Sequence, residues 1–327
     1  MASKMIGIEI GSDTIKMAVV KGDQIQKMAV ERLPDHLVQE GRVTAPIMMQ
    51  RFIKNMMKTH RIRGSQCALV LPPQVVISAH ITLPVMSESE LKLNLPYEFR
   101  DFVGKEGEEF DYDYIVKSMH DNVMELYAAA VRRKLVEDYW SILKKAGLTL
   151  KVAMPSEMAW MNLLSNTKSA PKKLAIIDIG HESTRINIFK KGVFVMGKSV
   201  EVAGQLFDET IADMQELDPH AARNRKEANV DHVQTEEFMH QPYGMVAMEV
   251  MKALDFYNYS LGEGKKPLEE IYFCGGSSNI EVLRTAVVKA TGMNPHRIYR
   301  LLNMKEENID LAMRCALAAG AAMQEVK

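Results

Sequence analysis

The stretch Ile6-Gly-Ile-Glu-Ile-Gly-Ser-Asp-Thr-Ile-Lys-Met-Ala-Val-Val20 recurs, in degenerate form, as Ala175-Ile-Ile-Asp-Ile-Gly-His-Glu-Ser-Thr-Arg-Ile-Asn-Ile-Phe189. The two copies lie at one constant offset, 169 positions, whether measured from Glu9 to Asp178 or from Gly11 to Gly180. Ile8/Ile177, Ile10/Ile179 and Gly11/Gly180 are identical, while Glu9/Asp178, Asp13/Glu182, Thr14/Ser183 and Lys16/Arg185 keep their chemical type. Each copy runs into Lys-Gly (Lys21-Gly22, Lys191-Gly192) and then a third strand-like run over 25–33 or 193–202. This predicts strand, tight turn, strand, turn, strand, twice over, and an internal duplication of this kind organises the whole fold.

The residue types suit one chemistry. Gly11 and Gly180 let the backbone turn with no Cβ in the way, and amides exposed in such a turn form a nest for phosphate oxygens. Ser12, Thr14 and Ser183 would add hydroxyl donors and Lys16 a charge. Glu9 and Asp178, each two residues before its glycine, would stand at strand ends where carboxylates hold Mg²⁺ through water. A single hairpin of this composition is ordinary turn chemistry. Two of them in register point to a cleft that clamps a nucleotide triphosphate and its metal. A third element, Glu270-Ile-Tyr-Phe-Cys-Gly-Gly-Ser-Ser-Asn279, reads as a strand entering Gly275-Gly276, followed by an apolar-periodic helix over 280–291 that ends at Gly292. A flat ring can approach the backbone there, and the helix start offers amides to an anion.

Composition narrows the classes. The 327 residues carry 41 Lys+Arg against 42 Asp+Glu, a formal charge of −1, which argues against a generic nucleic-acid binder. At 47% hydrophobic and 25% charged the chain is globular, long enough for about two domains. Three scattered cysteines (Cys67, Cys274, Cys315) with no CxxC spacing exclude a disulfide framework and a Cys-based zinc site. His181-Glu182 is not a metal motif, because Arg185 stands where HExxH needs its second His. The start, Met1 to Lys4, shows no signal-peptide pattern. The uncharged stretch 65–87 contains Pro72, Pro73, Pro84 and His80 and reads as two strands about a Pro-Pro turn, not a membrane span. The 24 methionines form no single stripe and read as core filler. Arg132–Lys134 and Arg223–Lys226 are small basic clusters that read as solvated faces.

These motifs, in this order, resemble those of the actin-like ATPase superfamily: phosphate-1 (6–20), a connecting helix (Pro155–Leu164), phosphate-2 (174–189), the adenosine element (271–283) and a second connecting helix (Ala316–Met323). The implied fold is α/β, with duplicated RNase H-like halves around a nucleotide cleft. Between the halves the sequence predicts strand 78–83, helix 87–102 with a Ser87/Glu90 capping box, strands 111–118 and 123–130, helix 134–146 and strand 148–153. A small α/β module at this place is similar to that of the FtsA/PilM branch. Leu95–Arg100, Phe110–Tyr114, Ala203–Thr210 and Met248–Tyr257 are similar to PilM proteins of type IV pilus assembly. The predicted division is 1–73, 146–172 and 311–327 for the first subdomain, 74–145 for the inserted module, 173–203 and 265–310 for the second subdomain, and 204–264 for an upper subdomain.

The resemblance implies an ATP- or ADP-binding scaffold at the cytoplasmic face of the inner membrane, peripheral and without direct membrane insertion. Its partner would be the N-terminal cytoplasmic peptide of a PilN-like bitopic protein, held between the first subdomain and the module, with walls from strand 75–83 and the helix after it. Pilus motor ATPases are further implied partners, and nucleic acid is not. By motif position Gly11, Ser12, Asp13, Thr14, Lys16, Gly180, Glu182, Ser183 and Gly204 are expected at the phosphates. Glu9 and Asp178 are expected at Mg²⁺, Glu249 and Lys252 near ribose and adenine, and Gly275, Gly276 and Ser277 under the base. Glu157 is the candidate for positioning water. Glu9 replaces the Asp of actin and the chaperones, and Ala203-Gly204 replaces a Gly-Gly pair. No free catalytic base stands out, so hydrolysis is expected to be slow or negligible. The competing readings are an FtsA-like filament, an EutJ-like chaperone and, within the same superfamily, a sugar or acetate kinase.

Overall fold

The computed structural model describes residues 4–103, 109–261, 268–304 and 308–323. Positions 1–3, 262–267, 305–307 and 324–327 of the predicted subdomains lie outside the described residues, as do 104–108 of the module.

The first half opens with β1 (Lys4–Ile10), β2 (Thr14–Lys21) and β3 (Gln24–Arg32), then a short hairpin of β4 (Val38–Gln39) and β5 (Arg42–Val43), then α1 (Pro46–Thr59) and β6 (Gln66–Val70). The inserted module follows as β7 (Val76–Pro84), α2 (Glu88–Glu98), β8 (Phe110–His120), β9 (Val123–Arg132) and α3 (Arg133–Lys145). The chain returns through β10 (Thr149–Met154) and α4 (Ser156–Ser165). The second half holds β11 (Lys173–Ile179), β12 (Thr184–Lys190), β13 (Val193–Val200), α5 (Gly204–Gln215), α6 (Pro219–Glu227) and α7 (His240–Phe256). It closes with β14 (Glu270–Cys274), α8 (Glu281–Thr291) and β15 (His296–Arg297), before β16 (Asn303–Met304) and α9 (Ile309–Ala322) return to the first half.

The duplication is visible in the sheets. The order β3-β2-β1-β6-β10 in one half is repeated as β13-β12-β11-β14-β15 in the other, with β16 added to the first sheet beside β3. Strand senses match as well: β1 and β11 pair antiparallel to β2 and β12 and parallel to β6 and β14. As central strands covered on both faces, β1 and β11 need continuous apolar runs, and every residue of β11 is buried. The helices α4 and α9 cross between the halves at close range. A Cβ at Gly320 would overlap the Ala159 carbonyl, and one at Gly7 would overlap the Ala318 carbonyl. The Ala-rich composition of α9 is therefore what lets the central helices touch.

The module is an antiparallel sheet in the order β7-β9-β8. Leu91, Leu95 and Phe99, from α2 and its C-terminal cap, pack with Leu126, Ala128 and Ala130 of β9 in its core. The capping box forms: the Ser87 N–H donates to Glu90 Oε2 at 2.7 Å and the Glu90 N–H donates to Ser87 Oγ at 3.4 Å. The helix stops at Glu98, short of the expected Phe102, and its internal Pro96 leaves the Lys92 carbonyl without its helical N–H partner. β8 and β10 are edge strands of their respective sheets. Among the described residues no helix is long and apolar enough to cross a membrane.

Candidate functional site

The two hairpin turns face each other at the bottom of a cleft lined by Glu9, Gly11 to Thr14, Lys16, Asp178, Gly180 to Ser183 and Arg185. Strand register decides what the charged residues do. Glu9 is directly opposite Lys16 in the β1–β2 ladder, and Asp178 is directly opposite Arg185 in the β11–β12 ladder. Cross-strand neighbours of opposite charge are within reach of each other. Lys16 Nζ lies 2.6 Å from Glu9 Oε1, and Arg185 Nη2 lies 2.7 Å from Asp178 Oδ2. Burial by itself would push the Lys16 ammonium down, but the Glu9 and Asp178 carboxylates outweigh it and hold its pKa above the ordinary value. Arg185 is raised in the same way, burial being opposed by Asp178, Glu9 and Glu157. The cleft floor thus carries two cations and two carboxylates in balance.

The rim is paired as well. Both guanidinium Nη groups of Arg223 on α6 donate to the two carboxylate oxygens of Asp13 in the first turn. Burial would raise the Asp13 carboxyl, yet the Arg223 fork and charge hold it below the ordinary value. Lys226, one turn further on, lies 2.5 Å from Asp208 and donates to the Gly204 carbonyl at 2.8 Å. Burial pulls Lys226 down and pushes Asp208 up from their ordinary values. The reading of Arg223–Lys226 as a solvated face is therefore corrected for two of its members: the Arg223 side chain is 12% exposed and that of Lys226 7%. His181 stands 3.9 Å from Asp208, its pKa lowered by burial.

The remaining candidates are placed as follows. Gly204 donates its N–H to the Gly180 carbonyl at 3.1 Å, tying the start of α5 to the second turn. Gly275, at φ +93°, packs on the end of β11, where a Cβ would meet the Ile179 carbonyl and, at 2.7 Å, Asp178 Oδ1. Ser277 donates its N–H to Ile179 O at 3.3 Å, while Gly276 has open space around it. Glu249 and Lys252, both on α7, bind each other at 2.7 Å, and Glu249 also takes Lys198 at 2.6 Å. Glu157, in the first turn of α4, acts on the buried Tyr127 hydroxyl and on Arg185. None of Glu157, Gly204, Glu249, Lys252 and Gly275 to Ser277 lines the cleft floor itself. Four contributors were given no role at the site from sequence: Arg185, Arg223, Lys226 and Asp208. Arg185 was legible in principle, because it stands opposite Asp178 in any hairpin built on Gly180.

The donor set can be tested against a nucleotide and its metal. Glycine turns flanked by hydroxyls and two cations suit a phosphate chain. Glu9 and Asp178 suit Mg²⁺ only if Lys16 and Arg185 turn to the phosphates, since each carboxylate already holds a cation. Among the described residues no three His, Cys, Asp or Glu side chains converge as a metal cage. The free space on the cleft floor is about 80 Å³, several-fold below the roughly 300 Å³ at which small-ligand pockets begin. The donor set matches a nucleotide's phosphates in chemical type, while the floor as it stands leaves less room than a nucleotide needs.

Two further hollows lie between the first half and the module. One, of about 550 Å³, is lined by Val75, Ile77 and Phe102 together with charged groups including Arg42, Arg132 and Lys134. The other, of about 350 Å³, runs between the β8 edge (Asp111–Ile115) and the end of β10 (Val152–Met154), floored by Tyr127, Ala129 and Met158. It continues past Ile115, Val116 and Met158 into a hollow of about 380 Å³ along α4.

Duplicated five-stranded sheets, two acidic hairpin turns and a Gly-Gly element around one cleft define the actin-like ATPase fold. Solved structures agree on it. The chain of the PilM-PilN type IV pilus biogenesis complex matches with a TM-score of 0.86 at 21% identity, covering 100% of both chains. Ethanolamine utilization protein EutJ from Carboxydothermus hydrogenoformans matches at 0.64 and 13% identity over 99% of this chain and 90% of that one. MreB5 of Spiroplasma citri bound to AMPPNP matches at 0.55 and 11% identity over 98% and 95%. The comparison with curated protein sequences returns no match. The model of the family described as type IV pilus assembly protein PilM matches residues 7–325, and the chain belongs to that family.

Proposed function

We propose that this protein is a scaffold of the type IV pilus assembly complex that holds the short N-terminal cytoplasmic segment of a PilN-like bitopic protein, and so works at the cytoplasmic face of the inner membrane. The observation that carries the reading is the hollow between two strand edges. β8 and β10 each end a sheet, an edge to which a further strand can be added, and the walls between them are mainly apolar. An extended peptide laid there would gain main-chain hydrogen bonds from an edge and seat alternate side chains against Tyr127, Val152 and Met158. The larger hollow on the other side holds the start of β7, as the sequence reading expected, but its mix of Arg42, Arg132, Lys134 and Asp138 suits an apolar peptide less well.

The test is isothermal titration with a synthetic N-terminal peptide of the PilN-like partner. Saturable 1:1 binding is expected, weakened roughly tenfold or more by Val152→Asp in the groove, and unchanged by Met214→Asp on the exposed face of α5. Binding that ignores Val152→Asp would place the peptide elsewhere.

For the cleft, the same proposal assigns ATP or ADP as ligand, its phosphates met by Gly11, Ser12, Thr14, Lys16, Gly180, Ser183 and Arg185, with the adenosine toward Gly275, Gly276 and Ser277. Bound triphosphate would bring its own Mg²⁺, to which Glu9 and Asp178 become available once their cations engage phosphate. Of the carboxylates near the turns, Asp13 is held by Arg223, Glu9 and Asp178 each hold a cation, and Glu157 sits beside Tyr127. Only the exposed Glu182 on the rim has no ion pair among the described residues, in a place open to solvent rather than enclosed around an attacking water. Binding with negligible turnover follows, and steady phosphate release on the order of 1 s⁻¹ would refute it.

A further inference from the structure

The short helix α6 belongs to the second half but reaches the first. Lys226 anchors it at home through Asp208 and the Gly204 carbonyl, and Asp218 caps its start by accepting from the His220 N–H at 2.9 Å. From that base four of its side chains, His220, Arg223, Asn224 and Glu227, meet the first half. His220 Nε2 lies 3.2 Å from Asp35, Arg32 at the end of β3 reaches Glu227 at 2.8 Å and Asn224 at 3.3 Å, and Arg223 forks onto Asp13. The outer pairs are solvent-exposed, and such pairs contribute little. The inner one is bidentate, with both side chains only 12% exposed, and is of the strong kind. It closes over a turn whose cleft leaves too little space for a nucleotide.

We propose that α6 is a latch, in which the Arg223–Asp13 fork holds the two halves shut over the phosphate turns so that a nucleoside polyphosphate enters only when the fork opens. The ligand class rests on the nucleotide reading of the cleft; the latch itself rests on the cross-cleft contacts. Opening is then asymmetric. Lys226 keeps α6 on the second half, and the first turn is the surface that is released.

The experiment compares the full-length protein with Arg223→Gln, Asp13→Asn and the exchanged pair Asp13→Arg/Arg223→Asp, with Arg225→Gln as control because Arg225 binds Asp231 within its own half. Hydrogen exchange over residues 11–14 and 219–227 reports opening, and a fluorescent ATP analogue in a stopped-flow mixer reports entry. Either single variant should speed exchange at the turn and nucleotide association by roughly tenfold, the loss of a buried charge pair being worth at least that factor. The control should match the parent, and the exchanged pair should return toward it. Unchanged exchange in a folded Arg223→Gln protein would overturn the latch. Slower or weaker nucleotide binding in that variant would also overturn it, by making Arg223 a phosphate ligand. Faster exchange with no nucleotide binding in any variant would uphold the latch and remove the nucleotide reading instead.

Discussion

The two hairpins share a topology, a register and a charge pair, yet they have different surroundings, and the difference shows what duplication keeps and what it releases. In both, the carboxylate two residues before the glycine is neutralised by the cation opposite it, Glu9 by Lys16 and Asp178 by Arg185. That pairing is dictated by the hairpin itself and survives in each copy. What lies beyond the hairpin is free to diverge. The first copy lets α9 in at Gly7, where the second has the fully buried Ile176. The first turn's acid, Asp13, is captured by Arg223, whereas its counterpart Glu182 is exposed. The second turn is instead fixed to α5, through Gly204 N–H to Gly180 O and Gln205 N–H to His181 O at 2.7 Å. The second turn is tied to a helix of its own half, the first to a helix of the other half.

The most severe way to break the comparison is to exchange residues between copies. Gly7→Ile gives the first hairpin the side chain that the second one carries, but no space exists for it against the Ala318 carbonyl. Overpacking against backbone cannot relax by a rotamer change, so a loss above about 4 kcal/mol, and with it the folded protein, is expected. The second copy tolerates its own truncation better: Ile176→Ala should cost about 2–5 kcal/mol and leave a measurable melting transition. Circular dichroism of both variants decides it, and a folded Gly7→Ile protein would show that α9 is not held as close as its crossing suggests.

The second comparison concerns the charge pairs. Removing one member of a buried pair leaves an uncompensated charge, at about 3–5 kcal/mol. Lys16→Met and Arg185→Met should both fall in that range, with Arg185→Met the larger because Glu157 as well as Asp178 loses its counterion. Neutralising both partners, as Glu9→Gln/Lys16→Met, should recover part of the loss. Urea midpoints at pH 7 would test this, and a double variant no better than the single one would mean the floor is held by packing rather than by charge balance.

Much of this was legible beforehand, for identifiable reasons. The hairpins, their glycines, the Gly-Gly element and the Ser87 cap are local patterns, and local geometry is what spacing encodes. The module's strands were also legible, but not which of them end the sheet, since alternation says nothing about pairing order. The hollow between β8 and β10 was therefore not readable from sequence, whereas the residues at the β7 start were named there as a wall. Arg223 was the instructive miss. Pro219-His-Ala-Ala-Arg-Asn-Arg-Lys-Glu227 looks polar on every face, and its partner Asp13 is 210 residues away. Burial by a distant ion pair leaves no periodicity to read.

The smallest effect separates the two turn acids by pH. Burial raises the Asp13 carboxyl, but the Arg223 hydrogen bonds and charge more than offset it, so the group takes its proton at lower pH when folded than when unfolded. As acid is added, the unfolded chain is protonated first. The stabilisation from Asp13 is therefore complete above the unfolded value near ~3.9 and is lost as pH falls through the folded one. Asp13→Asn should flatten that part of the acid limb and cost about 1.5–3 kcal/mol at pH 7, as expected for hydrogen bonds to a charged group. Glu182→Gln, the matching change in the second copy, should leave both the limb and the neutral-pH stability within about 0.5 kcal/mol of the parent, as for most exposed substitutions. Equal acid limbs for the two variants would mean that Asp13 is no more engaged than Glu182, and the asymmetry between the hairpins, with the latch built on it, would fail.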